Sequence, residues 1–334
     1  MKIQQRRFWF FLKVLLTTIV LWVLYHYSQL RFSLLFTFLD HPMPTILIIA
    51  LCYLMVVFHA WRWYRLNSAQ RIPLSFSQTL LPAYMAIAFN NVLPGSIGGD
   101  FFRLYFVLKN FPNQKSNAIL SIFVDRITGL LGILIIACLV APFYFNVIRE
   151  HTILYYLMGV SFAICLVCLF SFIGGVLLLS ERVGLAGRIE KFLHKLKFSK
   201  QLLSLLAAIH IYRNAKLIVL ESLIMSMATQ VLLLITVCLI NQVMGLPPLP
   251  LGVYMLALVI GQIANLVPLT PGGIGVGEAA FANIIYLLQP GSVAAYATVF
   301  FSLRLLSTLA YLPGVLIGIF KFHYLQKNQE SYGF

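Results

Sequence analysis

The sequence predicts an all-α polytopic membrane protein. It should hold about six transmembrane helices plus two Pro/Gly-broken helical hairpins (eight helical units if the hairpins span), arranged as an inverted-topology repeat. Three observations predict this. Hydrophobic residues fill 61% of the 334 positions and charged residues only 10%, a balance that places the chain among membrane proteins and outside soluble globules. A Pro/Gly-rich motif occurs twice, each time inside an otherwise apolar stretch. The basic residues gather in alternate connections between apolar runs, the pattern that sets orientation in a bilayer.

A spanning helix needs ~20 mostly apolar residues. Residues 10–27 and 43–61 meet that length, as do 119–144, 153–179, 217–240 and 294–320. The first run lacks a small-residue cleavage site, so it reads as an anchor and not as a removable signal peptide. Two further apolar regions, 76–108 and 251–288, are broken near their middles. Proline has no backbone donor and glycine is conformationally loose, so neither region continues as one helix. Each reads as a re-entrant hairpin with the Pro/Gly motif at its tip; two full spans joined by a tight turn is the alternative. Between 179 and 217, Leu185, Ile189, Phe192 and Leu196 keep helical spacing, while Arg188, Lys191, Lys195 and Lys197 face elsewhere. Residues 183–213 therefore read as an amphipathic helix on the cytoplasmic leaflet.

Charge orients these elements. Lys2, Arg6, Arg7 and Lys13 put the N-terminus in the cytoplasm. Arg62, Arg65 and Arg71 then fall inside, as do Arg103, Lys109 and Lys115. The basic run of 180–216 is inside too, as are Lys321 and Lys327 of the tail. Arg31 and Arg149 fall outside, and 241–293 has no Lys or Arg at all. The expectation is a multi-pass protein of the inner (plasma) membrane, one integral domain over 1–334 with both termini cytoplasmic. The two hairpins then enter from opposite faces. Units 43–144 and 217–320 become an inverted repeat, the symmetry associated with alternating access in transporters.

The motifs support the pairing of units. The first runs from Asn91 through Pro94, Gly95, Gly98 and Gly99 to Asp100. The second runs from Asn265 through Pro271, Gly272, Gly273, Gly275 and Gly277 to Glu278. Both contain Pro-Gly-x-Ile-Gly and close on an acid. Pro94 stands as far before Arg126 as Pro271 does before Arg304, to within a residue. An ionised side chain at bilayer depth costs roughly 2.5–3.5 kcal/mol on insertion scales unless paired or wetted. Asp100, Arg103, Asp125, Arg126, Glu278 and Arg304 are the candidates here. Ion pairs within each half (Asp100 with Arg126, Glu278 with Arg304) or across the halves both lower that cost. Asp125 and Arg126 are adjacent and point in different directions round a helix, so they serve different partners.

The functional reading is a polar pathway for a lipid head group. Arginines hold its phosphate with bidentate geometry. Glycine-tip amides and hairpin helix N-termini add anion-binding donors. The carboxylates pair with the arginines or carry coupled protons. The plainer reading is that the ion pairs only fix the hairpins in the bundle. Asn90, Asn91, Gln262 and Asn265 lie one turn before the tips, where they satisfy broken backbone or line the pathway; for the asparagines backbone support is the preferred reading.

Other chemistries find no footing. Cys52, Cys138, Cys165, Cys168 and Cys238 all lie in apolar stretches, where packing outweighs redox chemistry. The histidines show no metal-ligand spacing, so no metal and no cofactor is expected. Gly98-Gly99-Asp100 follows no strand and precedes no Lys-Ser/Thr, which excludes a P-loop or dinucleotide site. There is no Gly-x-Ser-x-Gly nucleophile. The formal charge of +15 reads as topology, so no nucleic-acid partner is expected.

Leu93-Pro-Gly-Ser-Ile-Gly-Gly-Asp100 with Arg103 after it, Val124-Asp125-Arg126, and Pro271-Gly-Gly-Ile-Gly-Val-Gly-Glu278 are similar to motifs of a known family. Over nearly all of 8–320 the chain resembles the membrane region of lysylphosphatidylglycerol synthases and the stand-alone flippase-like inner-membrane proteins related to it. In the synthases that region is associated with moving lysylated lipid between leaflets, and a separate soluble domain transfers lysine. The present sequence runs to Phe334 without such a domain. The resemblance thus implies translocation of an anionic or polyprenyl-phosphate-type lipid, without enzymatic activity. Alternatives are a membrane-embedded transferase on a lipid-linked donor, with Asp100 or Glu278 as base, and a scaffold for an envelope-biosynthesis protein partner. The oligomeric state is left open.

Overall fold

The computed structural model describes residues 2–27, 29–92, 98–178, 212, 215–266, 269–291 and 294–331. Pro94 and Gly95 of the first motif and the amphipathic segment 183–213, apart from Tyr212, lie outside the described residues. The described chain is helical, in accord with the all-α expectation. Helix α1 (Lys2–His26) leads through a 3-10 turn (Phe32–Phe36) and the short α2 (Thr37–Asp40) into α3 (Pro42–Ala69). There follow α4 (Phe76–Val92), α5 (Gly98–Asn110), α6 (Lys115–Val140), α7 (Phe145–Glu150) and α8 (Thr152–Leu178). The second part comprises α9 (Lys216–Val243), α10 (Leu251–Leu266), α11 (Val276–Leu288) and α12 (Tyr296–Ser331).

Local chemistry sets several boundaries. Prolines occupy the first turn of α3, where the missing donor is not needed. Its end is marked by Arg71 in the left-handed region, φ 56°. Helix α9 stops at Gly245, φ 62°, a conformation glycine adopts without penalty. Pro82 and Pro313 sit inside α4 and α12, which a membrane helix tolerates when its neighbours re-satisfy the backbone.

Both predicted hairpins form. Their arms hold 17 and 13 residues in α4 and α5, and 16 and 13 in α10 and α11. At 1.5 Å per residue such arms reach ~20–26 Å, short of the ~30 Å hydrocarbon core. The stretch Pro271–Leu288 is long and apolar enough to span if counted whole. It is not one helix, because Gly272 (φ 60°) and Gly275 (φ 87°) break it and α11 begins only at Val276. Pro42–Ala69, Pro112–Glu150, Lys216–Val243 and Tyr296–Ile317 are also long and apolar enough to cross a membrane. Helices α1 and α8 hold 25 and 27 residues.

Several helix ends differ from the expected spans. The expected second span is 43–61, with Arg62 and Arg65 in a cytoplasmic connection, but α3 continues to Ala69 and carries both arginines, Arg62 buried and Arg65 partly exposed beside Glu221. Apolarity ends at Trp61 without ending the helix, since Arg62 finds its counter-ion internally. Helix α6 also stops early, giving way at Ala141 to a 3-10 turn carrying Pro142.

The packing is reciprocal. Helix α3 lies along α9 at the centre. Arm α4 packs on α12, and arm α10 packs on α6. Arms α5 and α11 pack on α6 and α12 respectively. Contacts therefore recur when α3, α4, α5 and α6 are exchanged for α9, α10, α11 and α12. The largest apolar core gathers α9 to α12, with Leu24, Leu30, Phe38 and Ile48 closing over it. A smaller one joins α3 to α6 around Trp63 and Val107.

Candidate functional site

Each hairpin brings a carboxylate to an arginine on the helix that follows it. Arg126 of α6 donates from Nε and Nη2 to the two carboxylate oxygens of Asp100, each at 2.8 Å. Arg304 of α12 donates from Nε to Glu278 Oε1 at 2.8 Å. In both pairs the partners stand 26 residues apart. The sequence left pairing within or across halves open; the fold chooses pairing within each half. The environments differ. The Asp100–Arg126 side chains are 19% and 41% exposed, whereas Glu278 is fully buried and Arg304 is 14% exposed. Arg304 donates also to Gly272 O and to Asn265 Oδ1.

Asp125, adjacent to Arg126, takes different partners, as its position round the helix predicts. Arg62 Nε reaches one carboxylate oxygen at 2.6 Å and Arg103 Nη1 the other at 2.8 Å. Arg62 also donates to Ser226 Oγ at 2.6 Å, tying α3 to α9. The Arg103 guanidinium lies 5.1 Å from the Trp63 ring centre, a cation–π contact. All three charged groups are buried. Gly129 leaves room for Arg62, whose guanidinium would be 3.4 Å from an added Cβ, and Gly132 does the same for Ser226.

Gly99, Gly273 and Gly277 allow close packing. A Cβ on Gly99 would come within 2.1 Å of the Ala86 carbonyl, and one on Gly277 within 2.1 Å of Asn265 Oδ1. Gly273 likewise backs onto Asn265. The tip amides expected to bind anions are engaged inside the protein. Gly99 N donates to Asn90 Oδ1 at 3.0 Å, Gly275 N to Glu278 Oε2 at 2.7 Å and Gly273 N to Thr270 O at 3.2 Å. That corrects the anion-donor expectation for these three amides, because short hairpin tips consume their own donors. Asn90 supports broken backbone as expected. Asn265 instead orients Arg304.

Between the two ion pairs lies a cavity of about 370 Å³. Arg126 and Arg304 both line it, together with Arg62, Asp125, His59 and Asn265. Gln230 of α9 and Gln262 of α10 also face it and bond to each other at 2.8 and 3.3 Å. Of the residues predicted from sequence, Arg126, Arg304, Asp125 and Asn265 thus meet at one cavity. Asp100, Arg103 and Glu278 stand behind as counter-ions and braces. Pro271, Gly98 and the other described tip glycines frame the hairpins. Sequence reasoning missed Arg62, His59, Ser226 and Gln230. A signal for two of them exists: Met55, His59 and Arg62 fall on one helical face at the i, i+4, i+7 spacing and all line the cavity.

Residues 10–314 match the family model described as lysylphosphatidylglycerol synthase TM region. Among curated proteins none matches the chain.

Proposed function

The chain belongs to the family of the lysylphosphatidylglycerol synthase transmembrane region, and from that premise we propose that it translocates an anionic or polyprenyl-phosphate-type lipid between leaflets of the inner membrane. One observation carries this reading. A single cavity, of a size suited to a head group, is faced by arginines from both halves of the molecule. Four arginines (Arg62, Arg103, Arg126, Arg304) against three carboxylates (Asp100, Asp125, Glu278) leave one net positive charge around it. That excess favours an anion, and guanidinium groups suit phosphate geometry.

The reciprocal contacts support reading 43–144 and 217–320 as an inverted repeat, with the hairpins dipping from opposite faces. The half-exposed Asp100–Arg126 pair and the buried Glu278–Arg304 pair then correspond to an open and a closed side. A phosphate reaching Arg126 competes with Asp100 for the same donors, loosening the first hairpin. The protein is proposed to act as a transporter and not as an enzyme. Asp100 and Glu278 are poorly placed as general bases for a transferase, since the carboxylate of each is already engaged by an arginine at 2.8 Å.

Purified protein in liposomes carrying a fluorescent anionic lipid tests the proposal. Redistribution between leaflets is expected, with Arg126→Ala and Glu278→Gln slowing it by about tenfold or more. A new covalent lipid product would favour the transferase. Neither redistribution nor product, with a co-purifying protein partner, would favour the scaffold.

A further inference from the structure

We propose that His59 is the proton-binding residue of the cavity and that it matches the site to a phosphate monoester dianion. The inference rests on the translocation reading and names the head-group class and the coupled ion. The carboxylates are the obvious proton carriers in such a site, yet all three are committed. Asp125 is gripped by two arginines, Asp100 by Arg126 and Glu278 by Arg304. Arginine does not release its proton in proteins. Among the described residues lining the cavity, His59 is the one imidazole, the side chain whose ordinary titration range lies near neutrality. It takes part in none of the five ion pairs.

The surroundings of His59 say what would protonate it. On its own helix Arg62 follows one turn later, α6 contributes Asp125 and Arg126, and α5 contributes Arg103. Helix α12 brings Arg304 and Tyr311 to the cavity. Helices α9 and α10 face it with uncharged groups, among them Ser226, Thr229, Gln230, Gln262 and Asn265. The arginine–carboxylate cluster carries one net positive charge. A phosphodiester monoanion balances that charge with no proton needed. A phosphomonoester dianion leaves one negative charge over, and an imidazolium at His59 supplies its counter-ion.

The proton comes from solvent, sits on the imidazole while the dianion is bound, and returns to solvent when the phosphate departs. No bond to the lipid forms or breaks. A polyprenyl-phosphate-type lipid therefore moves with one proton, and a phosphodiester lipid moves without one.

Calorimetric titration of the full-length protein in detergent separates these cases. The probes are farnesyl phosphate and its methyl diester, which share a tail and differ by one charge. Titrations run at pH 8, where the free monoester, with its second pKa near ~6, is already a dianion. Two buffers of different ionisation heat report the protons taken up. Wild type is expected to take up about one proton per monoester bound and about none per diester. His59→Gln is expected to abolish that uptake and weaken monoester binding roughly tenfold, a larger loss than for the diester. Monoester binding without proton uptake, or equal uptake with both probes, overturns the assignment and leaves the translocation reading standing. Uptake that survives in His59→Gln overturns the choice of residue. Failure of wild type to bind either phosphate overturns both. Should His59→Gln not fold, His59→Asn takes its place in the same pair of titrations.

Discussion

Asp125 shows how differently two neighbouring charges are used. Its carboxylate accepts from Arg62 and Arg103, all of them buried. Asp125→Asn would leave two guanidinium groups in the core without a counter-ion, at about 3–5 kcal/mol. Asp100→Asn breaks a pair whose arginine is 41% exposed, and water takes over much of the lost contact, so the expected cost is about 1 kcal/mol or less. Denaturant unfolding in detergent should rank the two in that order; an equal loss would remove the distinction between brace and open pair. Asp100, Asp125 and both span arginines were legible in the sequence, because charge is rare in an apolar run. Arg62 was not, because it falls at the boundary where an apolar window ends and a basic connection is expected. Only its partners, Asp125 and Ser226, reveal that it lies inside.

At the scale of the element, the hairpins depend on backbone-to-backbone approach. Gly99 meets the Ala86 carbonyl so closely that an added methyl would lie 2.1 Å from it. Backbone on both sides gives way little, so Gly99→Ala should push α5 off α4. Limited proteolysis should then cut the hairpin faster than in wild type, while α9 to α12 stay protected. Gly132 tests a different junction. Its Cβ would meet Ser226 Cβ at 2.6 Å where α6 crosses α9, a small-residue contact that lets membrane helices come close. Gly132→Val should part the helices, break the Arg62–Ser226 bond and lower the unfolding midpoint. Gly132→Val paired with Ser226→Gly should recover part of that loss, the share due to overlap and not the share due to the Arg62–Ser226 bond; no recovery would refute the steric account. The hairpins themselves were readable, since Pro and Gly inside an apolar run leave few choices. The short second arms were readable from their polar content. The engagement of the Gly99, Gly273 and Gly275 amides within the protein was not, because donors and acceptors within a turn depend on dihedral angles that spacing does not specify.

For the whole molecule the prediction concerns sidedness. If the hairpins enter from opposite faces, the exposed residues after them, Asn110 and Gln289, lie on opposite sides of the membrane. In a background lacking the native cysteines, Asn110→Cys should react with an impermeant thiol reagent only from the cytoplasmic side, and Gln289→Cys only from the other. Labelling of both from one side would dismantle the inverted arrangement and with it the alternating-access reading. The reciprocal packing of the two halves, α4 on α12 and α10 on α6, makes each hairpin a lever on the other half's closing helix.

Taken alone, the sequence determined the solvent, the helical class, the two broken hairpins and most of the charged residues that count. Each of these follows from local chemistry: the length of an apolar run, the missing donor of proline, the cost of a charge in lipid. It also carried the family resemblance that the match over 10–314 bears out. Only the tertiary structure decided which acid holds which base, that α3 carries Arg62 and His59 past the apparent end of its span, and that arginines of both halves share one cavity. Those are relations between residues far apart in the chain. They are settled by how helices pack, which no single stretch of sequence encodes.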